Sequence, residues 1–203
     1  AQTGTASTAS VSVTVPAQVE AGDTMVLFET INNTTVVPTD PVGWTLVGTL
    51  KNQSASSVRA LVRTATADDA GSSVTMTYSG AAKASAVLLA YSGVSTAAPL
   101  AELATAIDSA AVAHVTPTAP VVSPAGWAIS YWADKSATAA SSWTAPADVA
   151  VRSTLVGGGS GAVTQLVADS GGQVDVGSYG GKTASVDVTS NKGMTMTLIL
   201  QAG

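Results

Sequence analysis

The run Thr14 to Phe28, TVPAQVEAGDTMVLF, returns without a gap 104 positions later as Thr118 to Trp132, TAPVVSPAGWAISYW. Thr14, Pro16, Ala21 and Gly22 meet Thr118, Pro120, Ala125 and Gly126, and Met25, Leu27 and Phe28 meet Ile129, Tyr131 and Trp132. Further segments recur in the same order: Trp44-Thr45 and Trp143-Thr144, then VRALV at Val58 to Val62 and VTQLV at Val163 to Val167, then two closing apolar strands. Ordered self-similarity of this kind marks one structural unit used twice. The halves are expected at 11–93 and 118–203.

The units are expected to be β-structured. By count, 27 Val, 27 Thr and 4 Ile stand among 203 residues, and β-branched side chains suit a pleated surface better than a helix. Val11, Val13 and Val15 alternate with Ser12 and Thr14, as a half-buried strand does, and Pro16 ends the ladder. Thr24 to Thr30 is apolar on both faces, which predicts a central strand. Short strands then follow between Gly, Pro and Asn turns through both halves. The expected fold is an all-β, jelly-roll-like antiparallel β-sandwich built from two related halves, a single domain over 11–203. Residues 1–10, rich in Thr, Ser, Ala and Gly, read as an N-terminal arm that a partner must order. Residues 94–117, flanked by Pro99 and Pro117, read as a linker in preference to a short helix, although Leu100, Leu103 and Ile107 fall at near-helical spacing.

Charge and cysteine content narrow the function classes. Charged residues make up 10% and the net charge is −5, so no basic surface is available to neutralise a nucleic-acid backbone. No apolar run approaches the roughly 18–20 residues of a spanning helix, and no membrane insertion is expected. With no cysteine, disulfides and thiolate metal sites are excluded. The sequence starts at Ala1 rather than Met, as a processed N-terminus or a fragment does.

Chemistry-bearing residues are sparse. The sole histidine, His114, has no second histidine and no spaced Ser and Asp beside it, and reads as a surface residue rather than part of a triad. Asp68-Asp69 precedes Ala70-Gly71 and reads as a turn in which Asp bonds its own backbone, with calcium the alternative. Asn32-Asn33-Thr34 and Asn33-Thr34-Thr35 match the glycosylation pattern but read as a polar turn. The run Gly157 to Gly161 lacks the Lys-Ser/Thr pair of a phosphate loop and reads as a hairpin connection. Glu20, Glu29, Glu102, Asp134, Asp169 and Asp187 are scattered and suggest no carboxylate pair. No enzyme, cofactor or metal is therefore expected. Trp44 and Trp143 occupy matching repeat positions, whereas Trp127 and Trp132 face Asp23 and Phe28 in the first half. That asymmetry hints at a surface role in the second half. Trp132 and Trp143, which bracket residues 133–142, are the candidate ligand-binding residues, with core packing the alternative.

The runs VTVPAQVEAGDTMVLF (Val13 to Phe28), PVGWTLVG (Pro41 to Gly48), VRALVRTATADDAG (Val58 to Gly71), KASAVLLAYSGV (Lys83 to Val94) and GWAISYWADK (Gly126 to Lys135) together resemble a β-sandwich module. That module occurs in actinobacterial secreted proteins and in tail or other virion proteins of phages infecting those bacteria. Gln18 and Glu20 depart from its usual small-residue turn. The resemblance implies a non-enzymatic structural virion protein, a tail or capsid-surface component that packs against copies of itself and other virion proteins and touches host surface glycan. The alternative is a carbohydrate-binding or adhesive module of a secreted bacterial cell-surface protein. A virion or extracellular location follows from either.

Overall fold

The computed structural model describes residues 2–4, 7–53, 55–109, 112–122, 124–135, 142–189 and 192–203, and among them it is all-β, without a helix. The first half contributes β1 (Gln2–Gly4), β2 (Thr8–Thr14), β3 (Thr24–Ile31), β4 (Pro38–Thr39), β5 (Thr45–Asn52), β6 (Ser56–Thr64), β7 (Ser73–Ala82) and β8 (Ala84–Tyr91). The second contributes β9 (Leu100–Asp108), β10 (Ala113–Val115), β11 (Ala119–Val121), β12 (Ala125–Lys135), β13 (Trp143–Thr144), β14 (Ala150–Val156), β15 (Val163–Asp169), β16 (Gly177–Tyr179), β17 (Thr183–Val186) and β18 (Gly193–Gln201).

Hydrogen bonding groups these strands into matching sets. A five-stranded sheet in the order β1-β8-β3-β6-β5 has its counterpart in β9-β18-β12-β15-β14, and the three-stranded sheet β2-β7-β4 has its counterpart in β10-β17-β13. The pair β11-β16 continues β10-β17 beyond a break. Pro117 interrupts one strand there and Gly180-Gly181 the other. A Cβ on Gly180 would lie 2.2 Å from the Pro117 carbonyl oxygen, and its φ of +134° is one that side chains rarely adopt. Gly180→Ala is therefore expected to destabilise the protein by about 1–3 kcal/mol, measured by urea unfolding beside Gly181→Ala.

Four layers result. The inner faces of the two five-stranded sheets pack on each other through Val26, Phe28, Val58, Val87, Ile129 and Tyr131, joined by Val167 and Met196. The opposite face of the first sheet carries Met25, Leu27 and Leu61 and is covered by Val11, Val13 and Met76 of its smaller sheet. The opposite face of the second carries Trp132, Leu166 and Ala168 against Ala184, with Ile199 and Ala128 against Val121. Strands covered on both faces must be apolar on both, and β3 and β18 are. Outer strands alternate instead: in β7, Val74, Met76 and Tyr78 point inward between exposed threonines.

At the junction, Phe28 and Tyr131 stack with centroids 4.3 Å apart and planes 7° apart. Thr30 donates to the Tyr131 oxygen at 2.5 Å, and the Tyr131 hydroxyl donates to Gln165 Oε1 at 2.6 Å, as Ser85 does at 3.0 Å. This buried chain spans both halves and gives the Tyr131 hydroxyl and Gln165 Oε1 partners inside the apolar layer. Burial keeps the Tyr131 phenol neutral, far above the usual tyrosine range.

Several expectations require correction. The expected linker 94–117 contains β9 and β10, and β9 completes the second five-stranded sheet. The arm pairs within its own chain: Gln2–Gly4 joins β8, and β2 starts at Thr8. The repeat register is odd rather than 104, because Met25 faces the outer layer and Ile129 the central one. The edge strands β5 and β14 each carry a bulge, between Leu46 and Gly48 and between Val151 and Ser153. Superposing the bulges brings Val26 to Ile129 and Phe28 to Tyr131. Trp44 and Trp143 are not equivalent, since Trp44 adjoins β5 while Trp143 lies in β13, the counterpart of β4.

Candidate functional site

The bulges lead to the site. A bulge re-aims one side chain, and in β14 that side chain is Arg152. Its Nε donates to Asp169 Oδ2 at 2.6 Å and its Nη2 to Asp169 Oδ1 at 2.9 Å. The Tyr91 hydroxyl donates to Oδ2 at 3.0 Å and the Gly171 amide to Oδ1 at 2.9 Å. Asp169 is buried and thus held by four donors, three of them from its own half and one from across the junction. The guanidinium carbon lies 5.9 Å from the Trp127 ring centroid, and Tyr91 tilts against the same ring at 5.2 Å. Hydrogen bonding to Asp169 raises the Arg152 pKa above its ordinary value, while burial beside that carboxylate pushes the Tyr91 phenol far above its own.

These residues wall a cleft between the halves. One hollow of about 240 Å³ is lined by Tyr91, Trp127, Arg152 and Asp169, and it adjoins another of about 460 Å³ that shares Leu89, Ala90, Ser92 and Arg152. The second hollow is closed by the turn after β2, through Gln18, Glu20 and Asp23. Its lining mixes Pro16, Val19, Leu89 and Ala90 with a cation, carboxylates, an amide and a hydroxyl. Small-ligand sites have this make-up and span roughly 300–1,000 Å³.

The related corner of the other half differs in kind. By the superposed bulges and ladders, Arg152, Asp169 and Trp127 correspond to Val47, Val62 and Thr24, and Tyr91 to Leu200. Val47, Val62 and Leu200 belong to the ordinary central core. Tyr91 and Trp127 pack against that same core, so the two corners differ chiefly in the ion pair that Arg152 and Asp169 add at one of them.

The tryptophans named from sequence lie elsewhere. Trp132 is 0% exposed and donates from Nε1 to the His114 carbonyl at 3.0 Å, which removes it as a ligand platform. The strand places it on the face that the smaller sheet covers. Trp143 is half-buried against the same cluster, edge-on to His114 at 5.5 Å. His114 is not a surface residue: it is fully buried in β10, with Nδ1 3.6 Å from Asp108 Oδ2. Asp69 accepts from the Thr66 amide at 2.6 Å and from Arg63 at 3.1 Å, the turn role read from sequence. Asn33 likewise closes a turn onto Thr35 and Val36. Among the described residues, no group of three or more His, Asp or Glu is placed to hold a metal ion.

Glu29 marks a second charged cluster, inside the first half. Its buried carboxylate accepts from Arg59 at 3.2 Å and from Tyr78 at 2.7 Å, and Arg59 also pairs with Asp40. Burial raises the Glu29 pKa despite these partners. Both acceptor oxygens are committed, so the cluster reads as an internal tie between layers.

No protein-family model, curated protein or solved structure matches the chain. Trp127 and Asp169 were visible in sequence as an unmatched tryptophan and a scattered carboxylate. Their partners Tyr91 and Arg152 carry no local motif, because four strands from both halves bring the cluster together.

Proposed function

We propose that the protein is a non-enzymatic structural component of a virion, at the tail or capsid surface of a phage that infects actinobacteria. The observation that carries this reading is the state of the sheet edges. Leu46 on β5, Ile107 on β9 and Val151 on β14 are 42%, 51% and 50% exposed, on strands that end their sheets. Soluble β proteins guard such edges with charge, proline or coverage, and apolar open edges suit lateral contact with further chains. The resemblance of the runs at 13–28, 41–48, 58–71, 83–94 and 126–135 to the actinobacterial and phage module supports the same setting. Leu46→Lys with Ile107→Lys is expected to shift a self-associating species toward monomer in light scattering, with the melting temperature changed little. A wild-type chain that stays monomeric at high concentration contradicts the reading.

A second reading, an adhesive module of a secreted cell-surface protein, is favoured by the cleft at Trp127 and Arg152. The two settings are separated by whether the chain is found in purified particles or in culture supernatant free of them.

A further inference from the structure

We propose that the cleft between the halves binds a neutral, hydroxyl-rich ligand, the pyranose units of an uncharged glycan. This names a ligand class for the binding suggested in the second reading, and it holds whether the chain sits on a virion or in a secreted protein.

Three observations converge. The first is asymmetry: the corner related by the internal repeat has Val47 and Val62 where this one has the ion pair of Arg152 and Asp169, while Tyr91 and Trp127 pack against the same central core as Leu200. The ion pair is therefore not something that the repeat itself imposes. The second is preorganisation. Asp169 engages Nε and Nη2 of Arg152, which holds the guanidinium plane fixed and leaves Nη1 outside that fork, in a side chain that lines both hollows. Donors held in this way bind without ordering a long side chain.

The third is the chemistry of the lining. Glu20, Asp23 and Asp169 outnumber Arg152 as charges around the cleft, so an anionic ligand meets net repulsion. Gln18, Ser92, Arg152 and the rim carboxylates offer donors and acceptors, and Pro16, Val19, Leu89 and Ala90 add apolar lining beside them. A pyranose matches that pattern, with hydroxyls around its edge and C–H groups on its faces, and the partly buried Trp127 lines the adjoining hollow.

The test is an array of neutral gluco-, galacto- and manno-oligosaccharides, printed beside uronic-acid glycans, amine-bearing glycans and a lysine-rich peptide, and probed with the full chain. Retention on neutral glycans is expected, with at least tenfold weaker binding for Trp127→Ala and for Glu20→Ala. Glu20 lies exposed on the rim, so Glu20→Ala should melt as the wild type does and decides the matter if Trp127→Ala unfolds. No retention on neutral glycans, preference for the charged glycans or the peptide, or unchanged binding by a folded Glu20→Ala variant would overturn the proposal. Particle incorporation and self-association are scored separately, so failure here leaves the structural reading standing.

Discussion

Arg59→Met is expected to destabilise the protein by about 3–5 kcal/mol, because it leaves the Glu29 carboxylate buried without its counter-charge. Glu29 is 0% exposed, and Tyr78 is its other donor. The loss should depend on pH with a definite sign. Burial already holds the Glu29 pKa above its ordinary 4.5, and removing Arg59 raises it further. A folded state that binds the proton more tightly than the unfolded chain is favoured at low pH. Its advantage fades as pH rises from about 4.5 through the raised folded value. The deficit of Arg59→Met relative to wild type is therefore expected to be smaller near pH 4.5 than near pH 8, read from urea midpoints at the two values. Adding Glu29→Gln should remove most of that difference. A deficit independent of pH would mean that lost packing, not the stranded carboxylate, sets the cost.

Trp132→Ala is expected to cost about 3–5 kcal/mol, as large-to-small changes at fully buried aromatics do. In a chain of this size that lowers Tm by roughly 6–20 °C. The indole fills the space between β12 and the smaller sheet of the second half, and its Nε1 satisfies the His114 carbonyl. Trp132→Phe keeps most of the apolar area but removes the hydrogen bond from Nε1 to that carbonyl, so an intermediate loss is expected. Glycan binding should survive both changes wherever the protein remains folded, since neither hollow of the cleft includes Trp132. Loss of binding without loss of Tm would return Trp132 to the ligand site.

The central layers were legible in the sequence because burial on two faces leaves a mark. Met25, Val26, Leu27 and Phe28 are consecutive apolar residues, and no exposed strand is built in that way. The stretch 94–117 was misread for a physical reason. Leu100 and Leu103 both reach the central core although three positions separate them. Ala101 is the extra residue of a bulge opposite Ile199 and Leu200, and it turns a period of two into an apparent helical spacing. The repeat register differs by one residue from the offset of 104, because that offset follows the turn residues Ala21-Gly22 and Ala125-Gly126, whereas facing is set by the ladders. At the cleft, Trp127 stood out as a tryptophan without a counterpart in the first half. Arg152 did not, since its role depends on a bulge and on Asp169 seventeen positions away. His114 is buried by β18 and Trp143, contacts between segments far apart in the chain.

The structural reading is tested most directly by quantitative mass spectrometry of purified phage particles, with the particle-free supernatant measured in parallel. The expected result is this chain in the particle fraction, at a fixed ratio to the other virion proteins and in a copy number set by tail or capsid symmetry. Recovery of the chain only from the particle-free supernatant would contradict it.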